Sequence, residues 1–263
     1  MSVGIGKGWS SLDLNLIARL VEFLAENPST RNEEIAEGLG LNTYKIVGLK
    51  RLAKFLGLQK NNSLTSLGTL IHKEDPYFQK VGTLCSFHFI LCSNRNAAVW
   101  HSASNIFIPR NKVFTRDKLK EALKTKGIQQ TSHFNNDVGL FLNGYTSSQY
   151  YALQKLGYLS LIGHQFNAKP IDKVPPLVLG YALYQQRTQS AATSTISINN
   201  LLSNDGQIGK VFLLHRDLLL DKLRVLESQG IIGITQIATL DNITFTNVDD
   251  PLSMLTAYYQ ESI

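Results

Sequence analysis

Two cysteines in 263 residues leave no material for a disulfide framework and point to a reducing compartment. Long hydrophobic runs are missing as well. The longest apolar stretch, Cys85 to Cys92, is too short to span a bilayer and is broken by Ser86 and His88. No basic segment followed by an apolar one opens the chain, so no secretory signal is expected and the location is read as cytoplasmic. Charge is sparse: 17% of residues are Asp, Glu, Lys or Arg against 43% hydrophobic, the balance of a chain that buries a core. "GIGKG" at 4–8 lacks the G-x-x-x-x-G-K-[ST] spacing and a preceding apolar strand, which argues against a phosphate loop. Lys7 and Trp9 are expected on a flexible arm instead.

Acidic side chains are absent from "GLNTYKIVGLKRLAKFLGLQKNN", residues 40–62, which carries five Lys/Arg. A second basic stretch, 110–126, sets seven Lys/Arg against two acids. With a net charge of +6 and a pI near 9.2, this distribution favours polyanionic partners.

The expected fold is mainly α with small β wings (α+β). Residues 1–75 read as three helices and a strand pair, the outline of a winged-helix DNA-binding domain. Leu12, Leu16, Ile17, Leu20, Phe23 and Leu24 give the first stripe. Thr30 with Glu33 reads as a capping box, and Asn42 caps a third helix that Gly57 stops. "KNNS" turns between two short strands. Residues 76–170 read as a helical middle domain. Pro170, Pro175 and Pro176 open a second winged-helix-like domain at 171–263.

On a helix at about 100° per residue, Ile46, Leu49, Leu52, Ala53 and Leu56 share one arc. Thr43, Val47, Lys50, Arg51 and Lys54 share the opposite one. That outer arc suits a recognition helix on double-stranded DNA, with Lys60, Asn61 and Asn62 at the wing and Arg110 and Lys112 as further phosphate contacts. A merely solvated basic face, or one used for protein contacts, has the same pattern. In the last domain the matching arc is Asp217, Asp221, Arg224 and Ser228, mixed in sign and better suited to a partner. Leu218, Leu219, Leu220 and Ile231 read either as a homodimer surface or as core.

Cys85, His88 and Cys92 fall on one helical arc, as three zinc ligands or as core thiols beside a hydrogen-bonded histidine. His72, Glu74 and Asp75 in "HKEDPYF" read as a Mg²⁺ site for phosphodiester chemistry or as a turn whose Asp caps the next helix. Asp137 and the Asp249–Asp250 pair carry the same alternatives.

"LTSLGTLIHKEDPYFQKVGTLCSFHFIL" follows the pattern T-x-x-G, D-P-Y, G-T-L and His through Thr65, Gly68, Asp75, Pro76, Tyr77, Gly82, Thr83, Leu84 and His88. The likeness continues through "AAVWHSASNIF", "FTRDKLKEAL", "NNDVGLFLNGY" and "VPPLVLGYAL". Over about residues 35–230 the chain resembles the domain-of-unknown-function family DUF4007. That resemblance implies a place in bacterial phage-defence islands beside sulfur-transfer proteins resembling phosphoadenosine-phosphosulfate reductase. Those systems replace a non-bridging phosphate oxygen of DNA with sulfur, and a similar component is associated with nicking DNA. If nicking is carried over, Asp75, His88 and Asp137 are the candidate catalytic residues, with Mg²⁺ as Lewis acid. The rival reading is a non-catalytic DNA-binding adaptor.

Overall fold

The computed structural model describes residue 9 and residues 11–128, 133–148, 153–189, 194–237, 240–246, 248 and 250–261. It is mostly helical with small antiparallel sheets. Asp13 caps α1 (Leu14–Glu26) by accepting from the Leu16 amide at 3.0 Å. Leu12, Ile17, Leu20 and Leu24 are buried, while Leu16 and Phe23 pack half-exposed at the edge of the core. Helix α2 (Asn32–Leu39) departs from the expected capping box. Its N-cap is Arg31 without a side-chain cap, and the Thr30 hydroxyl turns back to donate to the Asn27 carbonyl at 2.7 Å. Gly40, at φ +67°, ends it in the left-handed conformation that costs glycine least.

Asn42 caps α3 (Thr43–Phe55) through the Lys45 amide. At its other end the amides of Gly57 and Leu58 return to the carbonyls of Lys54 and Ala53, a Schellman stop with Gly57 at φ +77°. Strands β1 (Gln59–Lys60) and β2 (Ser63–Leu64) follow. Asn61 and Asn62 join them at φ +52° and +62°, the pair of left-handed residues that a type I′ turn demands. The Asn62 amide donates to the Thr30 carbonyl at 3.1 Å, tying the hairpin to the α1–α2 turn.

Helix α4 (Ser66–Glu74) comes so close to the base of the hairpin that a Cβ at Gly68 would overlap the Leu58 carbonyl oxygen. Gly68→Ala is therefore expected to cost about 3 kcal/mol in a urea unfolding titration, because backbone has to yield.

Helix α5 (Val81–Ser93) is buried on every side from Gly82 to Phe89, as a helix apolar all round requires. Against it lie α6 (Ala98–Ser102), a π turn (Ala103–Phe107) and α8 (Phe134–Thr146), with α7 (Arg116–Thr125) packed on the π turn. The helical middle needs correction. It also holds a sheet of β3 (Val113–Phe114), β4 (Leu159–Ile162) and β5 (Gln165–Ala168), ordered β3-β5-β4. The segment read as a helix over 148–157 becomes, where described, a 3₁₀ turn at Leu153–Leu156 leading into β4. Strands of two to four residues are too short to show a period-2 pattern, and the sharp turn at Gly163 (φ +60°) is what closes the hairpin.

The last segment repeats this order. Helix α9 (Pro176–Gln189), β6 (Thr195–Ser197), α10 (Ile198–Ser203), α11 (Ile208–Val211) and α12 (Arg216–Ser228) precede β7 (Ile232–Ile237) and β8 (Leu240–Phe245). Its sheet is ordered β6-β8-β7, the first strand again bonded to the last. Helix α13 (Leu252–Glu261) packs back on α9 and α4, and a continuous core runs from Leu12 to Tyr259. Among the described residues, no helix is long and apolar enough to cross a membrane.

Candidate nucleic-acid interface

Helix α3 presents the two arcs its spacing requires. Ile46, Leu49, Leu52, Ala53 and Leu56 are all buried, and Thr43, Val47 and Lys54 are exposed. Lys50 and Arg51 are half-buried. The Lys50 ammonium donates to Asn32 Oδ1 at 2.5 Å, and partial burial pulls its pKa below the ordinary lysine value. Lys60 and Asn61 stand exposed on the hairpin, with Asn62 half-buried. Trp9 lies against this helix, its indole N–H donating to the Lys45 carbonyl, while Lys7 falls outside the described residues.

Beside the outer arc is a groove of about 630 Å³. Val47, Lys50, Arg51, Lys54 and Phe55 form one wall, and Gln59, Asn61 and Asn62 reach it from the hairpin. Asn94 and Asn96, from the turn after α5, form the other wall. Its lining therefore holds three cations, several amides and no carboxylate, a set that attracts and hydrogen-bonds an anion. Arg110 and Lys112 are exposed before β3 but do not line this groove.

The three residues considered for chemistry lie in the interior. Asp75 is 4% exposed, with Oδ1 accepting from the Gln79 amide (2.8 Å) and Oδ2 from the Lys80 amide (2.9 Å) and the Thr83 hydroxyl (2.6 Å). Thr83, having donated, accepts from Tyr259 at 2.7 Å, which ties α13 to the start of α5. Asp75 thus fixes the turn that leads into α5 and holds Thr83 in its first turn, close to the second of the two roles its Asp-Pro context suggested.

His88 Nε2 lies 2.9 Å from the Val211 carbonyl, which only accepts, so Nε2 carries the proton and Nδ1 accepts from the Tyr145 hydroxyl at 2.7 Å. Burial pushes its pKa down to about 4 and keeps it neutral. Cys92 contacts Ser104 at 3.1 Å, and burial pushes its thiol up to about 12. Cys85 and Cys92 are both buried free thiols. Asp137 is buried in the first turn of α8, and Asp250 caps the Leu252 amide, while Asp249 falls outside the described residues. Among the described residues, no three His, Cys, Asp or Glu side chains converge as a metal site.

The family model for the protein of unknown function DUF4007 matches residues 44–259. The chain belongs to the DUF4007 family. No curated protein sequence matches this DUF4007 chain. Two solved structures share its fold. The magnesium ion-bound SspB crystal structure superposes with a TM-score of 0.79 at 16% identity, covering 95% of this chain and 86% of that one. The SspB crystal structure gives 0.78 at 17% identity with the same coverage.

On α12 of this DUF4007 protein, Asp217, Asp221, Arg224 and Ser228 are exposed, with Arg224 paired to Asp221 at 3.3 Å. The apolar cluster read either as a dimer surface or as core is packed inward: Leu219 and Leu220 are buried, and Leu218 and Ile231 lie against the core. The sequence pattern does not place Phe55, Gln59, Asn94 and Asn96 at this groove, which they line. The "SNRN" turn gives no periodic signal, and only the fold brings it beside α3.

Proposed function

We propose that this protein is a DNA-binding component of a bacterial DNA phosphorothioate modification and phage-defence system. Helix α3 and the β1–β2 hairpin act as a winged helix on duplex DNA. The observation that carries this is the acid-free groove, whose cations lie on the exposed side of a helix capped and packed as a recognition helix is. The two following units share a strand order that suits the same architecture, but their corresponding helices do not serve as readers. Helix α8 is largely buried and the face of α12 is mixed in sign. Those units are left to hold the scaffold and to meet sulfur-transfer partners resembling phosphoadenosine-phosphosulfate reductase. Family membership and the fold shared with SspB support the setting.

Between nicking and a non-catalytic adaptor, the side chains favour the adaptor. Mg²⁺ seeks near-octahedral oxygen ligands, whereas both Asp75 oxygens already accept from protein donors and both His88 nitrogens are engaged. These residues do not fit the ion. Supercoiled plasmid incubated with the protein, with and without Mg²⁺, is expected to be retarded on a gel yet stay supercoiled. An open-circular product would establish nicking instead. Loss of that product in Asp75→Ala or His88→Ala would not by itself identify a catalytic group, because each change strands buried hydrogen-bonding partners.

A further inference from the structure

The groove beside α3 contains more than phosphate binding needs. Gln59 is 5% exposed and donates through Nε2 to the Lys50 carbonyl at 2.7 Å, which fixes the orientation of its amide. Its Oε1 has no hydrogen-bond partner and is itself covered in the free protein, although the side chain lines the groove. An orphaned acceptor calls for an N–H or O–H donor, neither of which a phosphate diester has, and in DNA the bases supply N–H. Half-buried Phe55 and exposed Val47 line the same groove, giving an aromatic ring and an apolar patch next to the cations. An anion, a planar apolar face and an N–H donor occur together in a nucleotide. A volume of about 630 Å³ is also of small-ligand size.

In a stacked duplex the faces of the bases are covered, so only a base that has left the stack can lie against Phe55. We infer that the groove seats an unpaired nucleotide of the bound DNA, with its phosphates on Lys50, Arg51 and Lys54, its base against Phe55, and a base N–H on Gln59 Oε1 once the lining shifts to uncover that atom. This rests on the DNA-binding reading and adds to it a preference for an opened strand. Asn94 and Asn96 line the seat from a second segment of the chain, whereas a helix that only enters a major groove needs no such neighbour beside its cations.

The test compares a fluorescently labelled strand of deoxycytidines with an abasic strand of equal length by anisotropy at low salt, using the full chain. The base-bearing strand is expected to bind about tenfold more tightly, the scale of one stacked and hydrogen-bonded base. Phe55→Leu and Gln59→Leu are each expected to remove most of that difference, while Lys54→Ala weakens both strands alike. Thermal unfolding verifies that each variant is folded, and Phe55→Leu, the milder change in volume, carries the test if Gln59→Leu does not fold. Equal affinity for the two strands would overturn the inference and leave the DNA-binding reading standing. Failure of either strand or duplex to bind at low salt would overturn both.

Discussion

Replacing Arg51 and Lys54 together with alanine is expected to lower duplex affinity about 100-fold at low salt and to flatten the log–log salt slope by about two. Each phosphate a cation neutralises releases condensed counterions, so the slope counts contacts and the intercept weighs them. Lys54 is exposed, and both it and half-buried Arg51 line the groove. Lys50 is expected to contribute less, because its ammonium already rests on Asn32 and is partly desolvated. As a control, the matched pair Asp221→Ala and Arg224→Ala on α12 removes opposite charges from an exposed face and should leave binding unchanged. Urea titrations of all variants separate lost binding from lost folding, which matters for half-buried Arg51.

His88 is expected to make the fold acid-sensitive. In the unfolded chain the imidazole titrates at its ordinary value of about 6.5. In the folded protein burial lowers it to about 4. Above the unfolded value both states are neutral and the full stability is present. As pH falls from there towards 4, the unfolded chain takes up a proton that the folded one refuses, so stability drops by up to about 3 kcal/mol. His101, also shifted down by burial, adds in the same direction, so the informative comparison is with His88→Gln. Glutamine can still donate to the Val211 carbonyl but does not titrate. Urea titrations across this pH range should show a steeper fall for the natural protein than for His88→Gln. Parallel curves would mean that His88 is not buried neutral.

Helix α3 was legible in the sequence because its signals are local. A period of 3.6, an Asn cap at one end and a left-handed Gly at the other agree with one another. Thr30 and Glu33 mimicked a capping box, but the competing turn bond from Thr30 to Asn27 moves the cap to Arg31. The middle sheet stayed hidden because β3 has two residues and its partner β5 lies some fifty positions on. Distance along the chain also hid the environment of His88, whose partners are 57 and 123 residues away. A cysteine–histidine spacing on one arc suggests ligands until those partners are known. The groove was half visible. Its cations come from one helix, whereas Asn94 and Asn96 come from a turn that only tertiary packing brings to α3.

Hydrogen–deuterium exchange of the free protein against the protein saturated with duplex DNA tests the placement of the binding surface most directly. Slowed exchange is expected in α3, the β1–β2 hairpin and the Asn94–Asn96 turn, with α12 unchanged. Protection centred on α12 or on the stretch from Arg110 to Lys126, with α3 exchanging as in the free protein, would contradict the account.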